Sequence, residues 1–531
     1  MAKHKPAITE ETIAAMEQLI GLTFTDAERA LMVKGLGSRL ADYDQLRTVP
    51  LENSVAPALR FDPRLPGMTF DTERHPLNMG KVPTLERRDS LEELAFYPVT
   101  HLAQLIQTRQ VSSVELTEMC LNRLKRYDPI LKCVVTLTEE LALTQAKRAD
   151  TEIANGNYRG PLHGMPWGAK DLLATRGIPT TWGAMPYKEQ VINTDATVIE
   201  RLEAAGAVLV AKLTTGALAM GDMWFDGQTK NPWDIEEGSS GSSAGPASAT
   251  AGGLVGFSIG SETRGSIVSP STRCGVTGLR PTFGRVSRHG VMALSWSMDK
   301  LGPICRSVED CAVVFDAIYG PDGTDSTVVD LPFNWNADLK LSDLRIGYVK
   351  SAFDATQKEY DDQTLEVLRQ LNAKLIPIEL PDYPIEAIGF ILLVEAAAAF
   401  DELTRSDKDD LLVQQGEGTW PNLFRQARLI PAVEYIQANR VRTRVMQDMA
   451  ALMTDIDVYL HPTHVGINLG LTNLTGHPAV VVPNGFTPEG APTHSITFVG
   501  NLYGEAETLA VAKIYQDATD FHLKHPEMAY E

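Results

Sequence analysis

The chain is short of positive charge, of paired cysteines and of long apolar runs, and each shortage removes a class of function. Lysine and arginine number 48 against 68 aspartates and glutamates, a formal net charge of −20 over 531 residues. Nucleic acid and anionic membrane surfaces are held by basic patches, so this balance argues against either as a direct partner; solubility is its simplest meaning. Five cysteines (Cys120, Cys133, Cys274, Cys305, Cys311) occur without a CxxC pair. An odd number without that spacing does not read as a disulfide framework and fits a reducing compartment. The opening MAKHKPAITEE has no apolar segment of the kind a secretory signal requires, so a cytoplasmic location is expected. The longest apolar run, AIGFILLVEAAAAF (387–400), contains Glu395 and falls short of the roughly 20 residues a spanning helix needs. It reads as a buried helix. No phosphate loop is present, and neither a cofactor nor a metal is expected.

What the chain does have is apolar material, 44% of its residues, enough for one or more large cores. Length alone suggests two to four domains, or one large α/β domain with a smaller attachment. Residues 9–48 read as two helices. Thr9 caps the first, with Glu10 and Glu11 in its first turn, and Thr25 caps the second with Glu28 as its box partner. Met32, Leu36, Leu40, Tyr43 and Leu46 then share one helical face. The Pro-rich stretch 55–83 reads as a strap lying on another surface. From about residue 96 strands (133–138, 207–213, 344–350, 373–380, 477–483) alternate with helices (113–131, 195–206, 307–320, 505–519). That alternation predicts an α/β fold, a largely parallel or mixed sheet with helices on both faces. No repeat of 20 to 50 residues is present.

Small hydroxylated residues crowd into SGSSAGPASATAGGLVGFSIGSETRGSIVSP (240–270), whose only ionisable side chains are Glu262 and Arg264. A linker would not contain the apolar LVGFSIG; a serine-based active site would. One reading takes GSSAG (241–245) as a G-x-S-x-G nucleophile elbow with Ser243 as nucleophile, but the preceding NPWDIEEGS is polar and Pro-broken and no acid–histidine constellation follows. The histidines of HPTH (461–464) read as residues at a strand end rather than as metal ligands, since Pro462 blocks a regular helix and no carboxylate is close by in sequence. Lys170, in GMPWGAKD (164–171), follows a short apolar strand, where an unpaired charge is disfavoured. It is either a salt-bridged structural lysine or a desolvated base. As a base its pKa would have to fall from about 10.4 towards 7, roughly 4 to 5 kcal/mol of differential solvation.

Three segments together resemble the amidase signature family of serine amidases. GMPWGAKD is similar to its G-x-P-x-x-x-K-D element, SGSSAGP (240–246) to its G-G-S-S-G-G-S loop, and GSETRGSI (260–267) to its G-S-D-x-G-G-S-I element. From Ser242 to Ser266 is 24 positions, the family's separation. TRGIPTTWGA (175–184), DATVIERLEAAGAVLVAK (195–212), NPWD (231–234), CGVTGLRPTFGRVSRHG (274–290) and MDKLGPICRSVED (298–310) extend the likeness across roughly 96–520. The resemblance implies the amidase signature fold over 96–531, with 1–95 as a two-helix arm and strap. It implies Ser266 as nucleophile, Ser242 as relay and Lys170 as terminal base. It also implies a cis bond between Gly241 and Ser242, and an oxyanion hole from the backbone N–H groups of Thr263, Arg264, Gly265 and Ser266. The reaction would be hydrolysis of a small-molecule amide through an acyl-enzyme on Ser266, by a chain that could form a homodimer.

Departures from the family pattern fall around the pocket. Arg264 stands where glycine is usual, Glu262 where aspartate is usual, and Val268 in place of an arginine that can pair with that aspartate. AKLTTGAL (211–218) lacks the Asn and Glu of the usual G-K-T-N-x-x-E-F. Residues 8–57 resemble the small C subunit of tRNA-dependent amidotransferases, which leaves a second function: a glutaminase, A-subunit-like component of such an assembly. On either reading the arm is expected to pack on the catalytic core. The acyl pocket is expected from segments after 380, with Trp420, Phe424 and Trp224 as apolar walls or, equally, as core.

Overall fold

The apolar segments that alternate with helices assemble, in the computed structural model, into one mixed sheet of 11 strands; the structure describes residues 8–356, 359–488 and 490–530. In chain order these are β1 (Val134–Leu137), β2 (Pro166–Lys170), β3 (Val208–Leu213), β4 (Phe257–Glu262), β5 (Thr277–Arg280) and β6 (Lys300–Cys305), followed by β7 (Ile346–Val349), β8 (Leu375–Ile378), β9 (Val458–Pro462), β10 (Ala479–Phe486) and β11 (Pro492–Gly500). Across the sheet they run β1-β3-β2-β4-β6-β5-β10-β11-β9-β7-β8. The strands β3, β2 and β4 are mutually parallel, as are β9, β7 and β8; the strands between are antiparallel.

Every residue of β2, β3 and β6 is buried, as strands covered on both faces must be. The largest apolar cluster joins Trp167, Phe257, Leu301 and Phe498 of the sheet to Leu105, Leu202 and Phe315 of covering helices. Because β2 and β4 are parallel, their carboxyl ends meet at one edge, the place where open α/β sheets bind ligands. Lys170 and Glu262 both end there, and Lys300 begins β6 directly opposite Glu262.

The sequence assigns the helix 387–400 to the interior, and the structure forms it as Phe390–Ala399. Its one charge is accounted for: Glu395 accepts from the Ser295 and Ser297 hydroxyls at 2.6 and 2.7 Å and from Tyr435 Oη at 2.9 Å. No helix of the described residues is long and apolar enough to cross a membrane.

The N-terminal segment forms α1 (Glu10–Ile20) and α2 (Asp26–Leu46), each opened by a reciprocal capping box, Thr9 with Thr12 and Thr25 with Glu28. Arg29 ties them together through Glu17 at 2.7 Å. The expected packing on the catalytic core is not what the helices do. Among the described side chains of α1 and α2 only Ile13 and Glu17 are buried, whereas Leu19, Leu22, Leu31 and Leu46 are exposed. The following strap does lie on the body. Asn53 exchanges hydrogen bonds with the backbone of Ala293, Phe61 packs edge-on against Phe283, Phe70 meets Tyr503, and Asn78 pairs with Asn336.

Candidate active site

Lys170 closes β2 with its side chain fully buried. Gly168, two residues earlier, lets the strand approach its neighbour closely: a Cβ there would lie 2.3 Å from Leu213 Cδ1. Among the described residues no carboxylate pairs with Lys170. On the adjacent strand Lys212 takes Asp171, the carboxylate next to Lys170 in sequence, at 2.9 Å and with both side chains fully buried. The Lys170 nitrogen instead contacts Ser242 Oγ at 2.8 Å, Ser261 Oγ at 2.9 Å and Ser243 Oγ at 3.1 Å. Burial drives its pKa down from 10.5 to about 7, with the more distant Asp299 and Glu262 partly opposing the fall.

Ser242 and Ser243 precede α3 (Ala244–Ala251). The Gly241–Ser242 peptide is cis, and a Cβ on Gly241 would fall 1.9 Å from the Gly221 carbonyl oxygen, so only glycine fits. Ser243 is saturated. Its hydroxyl donates to the Ser261 carbonyl and accepts from the Ser261 N–H, both at 3.1 Å, besides accepting from Lys170. It is also fully buried. With its proton and both lone pairs committed it has nothing to offer a substrate, which removes the physical basis of the G-x-S-x-G reading.

Ser266 lies in the turn between β4 and α4 (Val268–Cys274) and is half-buried where Lys170 and Ser242 are enclosed. The Ser243 N–H donates to the Ser266 carbonyl at 3.1 Å, joining the two serine segments. Gly265 adopts φ 95°, the left-handed region glycine tolerates. The N–H groups of Thr263, Arg264, Gly265 and Ser266 find no protein acceptor among the described residues. Four unpaired donors on one turn can hold an anion. The Ser266 hydroxyl makes no hydrogen bond to the described protein atoms.

Glu262 clamps that turn. One carboxylate oxygen accepts the N–H groups of Ile267 and Val268 at 2.8 and 2.9 Å; the other accepts Asn473 Nδ2 at 2.8 Å and Arg280 Nη1 at 2.9 Å. Burial alone would raise the Glu262 pKa, but Arg280 and these donors bring it to about 2. The unusual Glu262 and Val268 are thereby explained: the longer acid reaches an arginine on β5, and residue 268 supplies only its backbone. Arg264 turns outward to an ion pair with Glu386. Thr263 Oγ1 donates to Asp299 at 2.6 Å.

Sequence reasoning missed Ser261 and Ser243 as partners of Lys170, and Arg280, Asn473 and Asp299 as supports. Ser261, Glu262 and Ser243 lie within the GSETRGSI and SGSSAGP motifs, and Arg280 and Asp299 within the family-like segments 274–290 and 298–310, but nothing in the text of those segments says which side chain they support; Asn473 lies outside every such segment. Trp420 and Phe424 stack at 5.0 Å inside a core cluster, Trp420 donating to the Leu218 carbonyl, and Trp224 is buried against Phe225. They are core. His461 ends β9 beside Pro462, and burial pushes its pKa to about 4, so it stays neutral.

Residues 115–468 match the family model described as Amidase. The chain is 34% identical over 478 residues to the glutamyl-tRNA(Gln) amidotransferase A subunit of Methylococcus capsulatus, covering 81% of this chain and 98% of that protein. Among solved structures it is similar to the peptide amidase of Stenotrophomonas maltophilia, with a TM-score of 0.73 at 28% identity over 82% of this chain and 99% of that one. It is also similar to an s-triazine catabolic enzyme solved as an inhibitor-bound complex, with a TM-score of 0.72 at 26% identity over 79% of this chain and 98% of that one.

Proposed function

Because the chain belongs to the amidase signature family, whose members cleave or transfer across amide C–N bonds, we propose that it hydrolyses a small-molecule amide by a Ser266–Ser242–Lys170 relay. The observation that carries this reading is Lys170: a fully buried lysine without an ion-pair partner among the described residues, 2.8 Å from the Ser242 hydroxyl.

A neutral amine has two N–H groups and one lone pair. Ser261 Oγ and Ser243 Oγ accept the two hydrogens, which leaves the lone pair for the Ser242 proton. Ser242 then draws the proton from Ser266 as its oxygen attacks the amide carbon, since a serine hydroxyl becomes an effective nucleophile only when a base removes its proton. The carbonyl oxygen gains negative charge, and the N–H groups of residues 263–266 stabilise it. The proton returns through Ser242 to the departing nitrogen, the C–N bond breaks and ammonia or an amine leaves. Water enters by the same relay, attacks the Ser266 ester and releases the acid.

The neutral form of Lys170 is the active one, and its fraction grows as pH rises through about 7. Ammonia release by the isolated chain from simple amides therefore tests the reading. We expect kcat/KM to be flat above about pH 8 and to drop about tenfold per unit well below pH 7. Activity constant from pH 5 to 8 would contradict the neutral-lysine base.

One observation favours a second reading, an amidotransferase component that delivers ammonia to a partner. Leu19, Leu22, Leu31 and Leu46 leave the arm with exposed apolar side chains, which a docking partner could cover. Robust ammonia release without any partner separates the two in favour of hydrolysis.

A further inference from the structure

A cavity of about 200 Å³ lies beside the reactive turn, between the N-terminal strap and the sheet edge. Ser261 and Thr263 form part of its wall, so it adjoins both the lysine contact and the first of the unpaired N–H groups. Its roof is the strap from Asn53 to Phe61. The roof is fixed at both ends, by the paired hydrogen bonds of Asn53 with Ala293 and by Phe61, over whose ring the Arg442 guanidinium sits at 3.6 Å.

Lys300 lines this cavity and is 2% exposed. Among the described residues its nitrogen has one hydrogen-bond acceptor, the Met298 carbonyl, and no ion pair. An ammonium has three hydrogens to place. The surrounding carboxylates are already committed. Asp299 accepts from Thr263 Oγ1 and from the N–H groups of Leu294 and Ser295. Glu262 is held by Arg280, Asn473 and two backbone donors. Asp325, also on the wall, takes Arg288 at 3.1 Å. Burial, with Arg280 nearby, pushes the Lys300 pKa well below the ordinary lysine value, with Glu262 and Asp299 partly opposing the fall, and an anionic ligand group arriving beside it would favour its protonated form. On the roof, Arg60 is exposed and makes no ion pair among the described residues. In a chain of net charge −20, one cavity thus holds, beside Asp299, Asp325 and the paired Arg288, two basic side chains that have no carboxylate in ion-pair contact among the described residues.

We propose that this cavity is an acyl-side subsite for amides that carry a second, anionic group, with the ligand carboxylate seated between Lys300 and Arg60 and its amide carbonyl at Ser266. The substrate class is the monoamide of a short dicarboxylic acid. This rests on the hydrolase reading above, and the strap becomes a specificity element that the catalytic body alone lacks.

The test compares succinamate and glutaramate with their neutral isosteres, succinamide and glutaramide, by ammonia release, and measures glutarate binding separately by calorimetry. The wild type is expected to favour the monoamide acids by at least about tenfold in kcat/KM, and Lys300→Met and Arg60→Ala should each erase most of that preference, mainly through KM. Glutarate binding should weaken at least about tenfold in Lys300→Met, with near-ultraviolet circular dichroism confirming its fold; Arg60→Ala, at an exposed position, covers the case in which that variant does not fold. Equal turnover of acids and diamides, with glutarate binding indifferent to both substitutions, overturns the subsite and leaves the hydrolase reading standing. Lys300-dependent glutarate binding by a chain that hydrolyses none of the four amides does the reverse.

Discussion

Lys170→Ala is expected to yield a folded protein whose amide turnover is lower by at least about a hundredfold, the usual cost of losing a general base. Folding should survive because among the described residues Lys170 forms no ion pair: its three close partners are serine hydroxyls, and its removal strands none of the described carboxylates. Lys170→Arg should fail equally, since a guanidinium stays protonated near neutral pH and cannot accept the Ser242 proton. Lys212, one strand away, supplies the contrast. Its loss strands the buried Asp171, so damage there falls on folding before chemistry. Steady-state ammonia release with circular dichroism on each variant separates these outcomes, and near-normal turnover in Lys170→Arg rules out the neutral-lysine mechanism.

Glu262→Ala is expected to cost about 3–5 kcal/mol of stability, the penalty for leaving a buried partner charge uncompensated. The partner is Arg280, 1% exposed. The same substitution removes the acceptor of Asn473 Nδ2 and of the N–H groups of Ile267 and Val268, each a buried donor. Glu262→Gln keeps the shape but turns one acceptor into a donor facing donors, so it should also destabilise. Equilibrium urea denaturation measures both. A loss below about 1 kcal/mol for the alanine variant would mean that the turn carrying Ser266 is held by something other than this carboxylate.

How much of this was legible in the chain depends on whether a feature is local. The spacing of Lys170, Ser242 and Ser266 is a property of consecutive text, because each sits where a short strand gives way to a turn. The alternation of strands and helices is likewise local, and it places the mixed sheet correctly. The supports of the site are not local. Arg280 and Asn473 reach Glu262 across 18 and 211 positions; the segment around Arg280 resembles the family but does not name its partner, and nothing in the neighbourhood of Asn473 marks it. Apolar content also misleads about place: Trp420 and Phe424 look like pocket walls and prove to be core, while the leucines of α1 and α2 look like core and are exposed. The strap was legible as extended chain from its prolines, but its position over a cavity beside Thr263 depends on where the whole sheet edge lies.

The central claim is that Ser266, and not the saturated Ser243 beside it, is the group that becomes acylated. A fluorophosphonate reacts covalently with an activated serine, and mass spectrometry of the digested protein reads the labelled residue directly. The account predicts one label per chain, on Ser266, absent from Ser266→Ala and strongly slowed in Lys170→Ala. A label on Ser243, or undiminished labelling of the Ser266→Ala protein, would contradict it.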